Sequence, residues 1–286
     1  QRKGVVACGT ASKQAYADFL EVDAGGTSAI STGLSKLDHV LGGGFKKGSL
    51  YVLAARPGVG KSALAIQMTY ECAKHGLRAS YASLEMSSAE CCGRLLSNAS
   101  GVRKPTSKGF LNAGHKQKLE TQVQAMQSWP ITFKDDNQAT MQSISAFIAK
   151  QRLEGELGLV VIDYLQLLSS PGHDSRVQEV SHISRSLKAM AMEYEVPVLA
   201  LSQLNRALES ANRNPMLSDL RESGSIEQDA DCVLLMHREK EVDPTSDDII
   251  CNVAKNRNGE VRAVKLTFTK PTGRFSLQVP APSLHD

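Results

Sequence analysis

An apolar run that stops at a glycine turn and resumes as a helix leaves a chain few folds to choose from. Residues 50–68, LYVLAARPGVGKSALAIQM, read that way. Leu50 to Ala55 has the length and β-forming character of a buried strand. Arg56-Pro57-Gly58-Val59-Gly60 is a turn, and Lys61-Ser62 leads into apolar positions at Leu64, Ile66 and Met68 that suit a helix. Such a unit cradles phosphate, because backbone N–H groups of the turn and of the helix N-terminus point inward and carry partial positive charge. Lys61 would reach the β- and γ-phosphates of a nucleotide, and the Ser62 hydroxyl would meet Mg²⁺. The general pattern has Gly where this chain has Ala55, so an ordinary strand-to-helix turn is the competing reading. Gly60-Lys61-Ser62 at the strand–helix boundary favours the nucleotide site.

The rest of the chain is consistent with an α/β protein. At 286 residues it can bury a sizeable core, and 41% hydrophobic with 22% charged residues fits a globular chain. No apolar run approaches the ~20 residues a membrane helix needs, and no signal segment is evident, so the cytoplasm and no membrane partner are expected. The net charge of +3 permits nucleic-acid binding without suggesting it. Six cysteines show no C-x-x-C pair or zinc-type spacing and read as small buried residues; seven scattered histidines nominate no metal site.

Residues 1–29 stand apart: a short helix over Ala11–Leu20 with Tyr16, Phe19 and Leu20 near one face, then a Gly25-Gly26-Thr27-Ser28 joint. Residues 30–286 form the main domain. A helix starts in Ser31–Asp38, strands are expected at 78–84, 131–133, 158–163 and 197–203, and helices at 88–99, 141–153 and 177–194. Val177, Val180, Ile183, Leu187, Met190 and Tyr194 recur at helical spacing. Residues 102–127 read as polar helices broken at Pro105, Gly109 and Gly114. Gly158–Asp163 is a continuous apolar run with a carboxylate at its end, as in a parallel sheet covered on both faces. Strand-like stretches at 231–237, 249–254, 261–269 and 275–279 add an antiparallel extension, with hairpin breaks at Asn258-Gly259 and Pro271-Thr272-Gly273.

Ligands of open α/β sheets bind beyond the carboxyl ends of the strands. The 56–62 loop, Glu85, Asp163 and Gln203 all fall at such ends. Each alone could cap a helix or a turn. Together they are the parts of a nucleoside-triphosphatase: Asp163 for Mg²⁺, Glu85 to polarise the attacking water, Gln203 to sense the γ-phosphate.

Ala55-Arg56-Pro57, Ser83-Leu84-Glu85-Met86, Ile162-Asp163-Tyr164-Leu165-Gln166-Leu167 and Leu201-Ser202-Gln203-Leu204-Asn205-Arg206 resemble motifs of the DnaB-type hexameric replicative helicases. So do the long string from Asp219 to Asp231 and the segment Lys255-Asn256-Arg257-Asn258-Gly259. The likeness runs from about Ile30 to Phe275, in order, and Ala55 is usual in that family. It implies a RecA-like P-loop core with ATP and Mg²⁺ as cofactors, a homo-hexamer, and ATP-driven movement on single-stranded DNA. Primase and a helicase loader are the further partners it implies. Arg257 with Lys255 would reach the nucleotide of the neighbouring subunit, and Arg221, Glu222, Ser223 and Gly224 would touch the DNA backbone. The Tyr16 helix would be the piece by which one subunit grips the next. The family's N-terminal helical collar domain has no room here, as expected of a fragment or a short relative. Leu41-Gly42-Gly43-Gly44-Phe45 looks more like the RadA and KaiC branches, so the alternative is a recombination filament or a regulatory ring that does not unwind DNA.

Overall fold

The computed structural model describes residues 6–23, 29–205, 213–220, 224–238 and 247–278. Six apolar stretches form parallel strands: β1 (Leu50–Ala55), β2 (Arg78–Ser83), β3 (Ile131–Asp135), β4 (Leu157–Asp163), β5 (Val198–Gln203) and β6 (Cys232–Arg238). Three more, β7 (Asp248–Asn256), β8 (Ala263–Thr269) and β9 (Arg274–Leu277), continue the sheet antiparallel. The order is β3-β2-β4-β5-β1-β6-β7-β8-β9. β1, β4 and β6 are buried along nearly their whole length, as strands covered on both faces must be.

The helices are α1 (Cys8–Asp23), α2 (Ser35–Val40), α3 (Lys61–Lys74), α4 (Ser88–Ser100), α5 (Ala113–Met126), α6 (Met141–Leu153), α7 (Arg176–Glu193) and α8 (Gly224–Asp229). The two-residue period of the strands sorts them onto two faces. Tyr51, Leu53 and Ala55 pack with Leu64 and Met68 of α3 and Leu95 of α4. Leu50, Val52 and Ala54 pack with Ile144 of α6 and Ile183 and Leu187 of α7. Each fully buried Leu, Ile or Val contributes about 1.5–3 kcal/mol relative to exposure, so the two cores fix β1 at the centre of the sheet.

Local signals set the helix starts. Ser87 and Glu90 form a capping box on α4, Thr140 and Ser143 one on α6, and Ser175 caps α7. The structure corrects the reading of 102–127. Only one helix forms there, α5, capped by Asn112, and Gly114 lies inside its first turn instead of breaking it. A glycine near a frayed helix start costs little, whereas Pro105 lacks the N–H an interior position needs. The cysteines are also mixed. Cys72, Cys91, Cys232 and Cys251 are buried, with burial pushing the Cys72 thiol up to about 12, but Cys8 is exposed and Cys92 half-buried. The Gly25–Ser28 joint lies outside the described residues. No helix among the described residues is long and apolar enough to cross a membrane.

Candidate active site

β1, β2, β4 and β5 run in the same direction, so the residues that follow them gather at one edge of the sheet. There a cavity of about 380 Å³ is lined by Arg56, Pro57, Gly58, Gly60, Lys61 and Ser62, with Glu85 and Gln203 beside them. Val59 is the exception in the loop: its side chain is buried in the core, leaving its backbone to serve the turn. Gly60 has a φ of +107°, and a Cβ there would come 2.8 Å from Phe275 Cζ. The stacked Phe268–Phe275 pair, ring centres 4.4 Å apart, thus forms a floor on which only glycine fits.

Lys61 opens α3, and its Nζ donates to the Ser202 carbonyl at 3.3 Å while lying 4.8 Å from the centre of the Tyr164 ring. Burial lowers its pKa, and the charges of Asp163 and Glu85 act against that. A phosphate arriving here would supply the negative partner that the buried ammonium favours. Gln166 fixes the end of β5: its amide donates to Ser202 Oγ at 2.8 Å, and its carbonyl accepts from the Gln203 backbone N–H at 3.3 Å. Arg56 donates to the Asn205 carbonyl at 3.2 Å.

Asp163 is 2% exposed, and the buried Tyr81 hydroxyl donates to its Oδ2 at 2.7 Å. Its Oδ1 is buried without a hydrogen-bond partner. Asp163 is not among the residues lining the cavity, but an orphaned carboxylate oxygen of this kind suits Mg²⁺, a hard cation that takes oxygen ligands and keeps waters. Among the described residues no cluster of three or more His, Cys, Asp or Glu forms a separate metal site. Tyr81→Phe removes the hydroxyl and leaves Oδ2 unpaired as well. The change should lower stability by about 1–3 kcal/mol in urea unfolding, and an unaltered midpoint would mean that Tyr81 does not hold Asp163.

Lys255 and Arg257 are elsewhere. Lys255 is near the end of β7 and Arg257 just beyond it; Asn256 pairs with Cys232 at the start of β6, and the Arg257 N–H donates to the Asp231 carbonyl at 2.9 Å. The Asp231 N–H in turn donates to the Leu50 carbonyl at 2.8 Å, at the opening of β1. The phosphate loop follows the far end of that strand. Six residues at ~3.3 Å each separate the two edges by about 20 Å, so these cations cannot serve their own chain's loop. In the chain Arg257 is half-exposed and lies 3.5 Å from Asp231, and burial lowers the Lys255 pKa, with the neighbouring Arg257 charge adding to the effect.

Arg221, Glu222 and Ser223 lie outside the described residues, and Gly224 is the first residue of α8. The cavity also takes in residues to which sequence reasoning assigns no role, Arg94, Tyr164 and Phe268 among them. Tyr164 adjoins Asp163 at a strand end, a signal the sequence carries; Arg94 on a helix and Phe268 on a hairpin strand carry no local mark. Tyr81 carries none either.

A phosphate loop at the carboxyl edge of this nine-stranded sheet defines a P-loop domain of the RecA-like fold. A solved ATPase domain superposes with a TM-score of 0.89 at 31% identity, covering 97% of this chain and 100% of that one. The family model for the DnaB-like helicase C-terminal domain matches residues 29–277, and the chain belongs to that family. A DnaB-like replicative helicase solved for its interactions with primase gives a TM-score of 0.85 at 32% identity, over 91% of this chain and 66% of that one. Among curated relatives, the Replicative DNA helicase DnaB of Leifsonia xyli subsp. xyli is 40% identical over 263 residues, 90% of this chain and 57% of the relative. That of Geobacillus stearothermophilus is 39% identical over 259 residues, 88% and 57%. The chain therefore spans somewhat more than half the length of these relatives.

Proposed function

We propose that the chain is the ATP-hydrolysing motor of a replicative DNA helicase, working as a ring of six with ATP bound between adjacent copies. The observation that carries this is the separation of Lys255 and Arg257 from their own phosphate loop by the length of β1. Cations that cannot reach their own site can complete another copy's. The names of the relatives, replicative DNA helicases, support the same reading.

In it, the 56–60 backbone and Lys61 grip the β- and γ-phosphates, and Gln203 senses the γ-phosphate from the end of β5. Glu85 orients the attacking water and accepts its proton. Arg257, with Lys255, spreads positive charge over the γ-phosphoryl in the neighbour's transition state. Ser62 Oγ and Asp163 Oδ1 would hold Mg²⁺, whose charge would neutralise the β- and γ-oxygens. Arg221, Glu222, Ser223 and Gly224 would meet the backbone of single-stranded DNA, a contact indifferent to sequence. Primase and a helicase loader would be partners of the whole protein, and the cytoplasm its compartment.

Residues 1–29 act here as the linker and 30–286 as the motor domain. The linker helix α1 has Tyr16, Phe19 and Leu20 exposed by 63%, 71% and 50%. Three apolar side chains at helical spacing need a cover, and a neighbouring copy supplies it in a ring. Replacing Tyr16 and Phe19 by Ser should shift the assembly toward monomers in light scattering; an unchanged mass would remove α1 from the interface.

The test of the function is ATP turnover with Mg²⁺, with and without single-stranded DNA, alongside strand separation on a forked duplex. Stimulated turnover and separated strands are expected. Turnover indifferent to DNA would favour a regulatory ring and overturn the proposal.

A further inference from the structure

The two finger cations are held by a helix that begins at the proposed DNA contact. Lys255 Nζ donates to the Glu227 carbonyl at 2.5 Å and to that of Gln228 at 3.3 Å, and Arg257 Nη2 donates to the Gln228 carbonyl at 2.9 Å. These are end carbonyls of α8, which lack partners within the helix and carry partial negative charge. The opposite end of α8 is Gly224. The helix is itself anchored, by the fully buried Ile226 and by a 2.7 Å hydrogen bond from Ser181 of α7 to Ser225. Just upstream, Leu220 bridges to Leu204, the residue after Gln203, and the Asn205 N–H donates to the Asp219 carbonyl at 2.9 Å.

Asp231 joins this arrangement to the centre of the sheet. It is 6% exposed; Oδ2 accepts from the Leu50 N–H at 2.8 Å and from Lys188 Nζ of α7 at 2.6 Å, while Oδ1 faces Arg257.

We infer that Asp231 and the end carbonyls of α8 lock Lys255 and Arg257 to that helix, so that DNA held at the Gly224 end sets the position of the finger offered to the next copy's nucleotide. The inference rests on the motor reading above. A half-exposed arginine on one anchor samples many rotamers; two anchors on a rigid turn and a half of helix leave it few. Asp231 touches no nucleotide and acts as a positioning residue. Its loss therefore affects how DNA is felt at the ATP site more than whether DNA binds.

The experiment compares the ratio of DNA-stimulated to DNA-free ATP turnover in the unaltered chain, in Asp231→Asn and in Lys188→Met. The second variant removes another partner of the same carboxylate, together with the Lys188 bond to the Gly48 carbonyl, and leaves Arg257's untouched. In Asp231→Asn the ratio should fall at least about fivefold, the low end of usual coupling between sites, with affinity for single-stranded DNA retained. Lys188→Met should keep the ratio. An unchanged ratio in Asp231→Asn overturns the inference. So does an equal fall in Lys188→Met, since packing around the carboxylate would then be responsible. If the unaltered chain is not stimulated at all, it is the motor reading that fails. Should Asp231→Asn not fold, hydrogen exchange in the unaltered chain decides: DNA should protect the amides of 224–229 and 255–258 together, and protection of the helix alone contradicts the link.

Discussion

Arg257→Ala should abolish most ATP turnover, by about 10³–10⁵-fold, the range over which an arginine supplied to a phosphoryl-transfer site acts. Nucleotide binding should persist, because the 56–62 loop and Lys61 are untouched and lie at the other edge of the sheet. Mixing makes the prediction specific to a shared site. A Lys61→Ala chain should lose its grip on phosphate but still offer an intact Arg257. An Arg257→Ala chain has an intact phosphate loop and no finger. Each alone should be inactive, and mixed rings should recover turnover at those interfaces where an intact loop meets an intact finger. Loss without recovery in the mixture would sink the shared-site reading.

Glu85→Gln is the second large effect. The amide keeps the shape of the side chain at the wall of the cavity but cannot accept a proton, so turnover should fall about 10²–10⁴-fold. ATP should still bind, as the proposed phosphate contacts of the loop backbone and Lys61 are untouched. Measuring hydrolysis together with binding of a fluorescent ATP analogue separates the two steps. Hydrolysis at the unaltered rate would take Glu85 out of its role, and lost binding would show that it serves the fold.

Much of the fold is legible in the sequence, for identifiable reasons. β1, β4 and β5 are continuous apolar runs ending in polar residues, and a parallel sheet covered on both faces imposes that pattern on its strands. The 3–4 spacing along α7 and the Ser87/Glu90 box at α4 are equally local. What stayed hidden depends on distant pairing. Tyr81 reads as one more strand residue until β2 is set beside β4 and its hydroxyl meets Asp163. Asp231 reads as part of a motif string, and only the antiparallel return of β7 puts Arg257 against it. The Phe268–Phe275 floor beneath Gly60 is likewise brought there by a hairpin far along the chain. Gly114 misled for a different reason: position within a helix, not residue type alone, decides whether glycine interrupts it.

In the proposed motor, one chain's positive hairpin finishes its neighbour's pocket. The direct test is electron cryomicroscopy of the assembly loaded with Mg²⁺ and a non-hydrolysable ATP analogue. The expected image has the Arg257 guanidinium of each copy within hydrogen-bonding reach of the γ-phosphate held by the adjacent copy's Lys61. Hairpins that lie remote from every other copy's phosphate loop would contradict it.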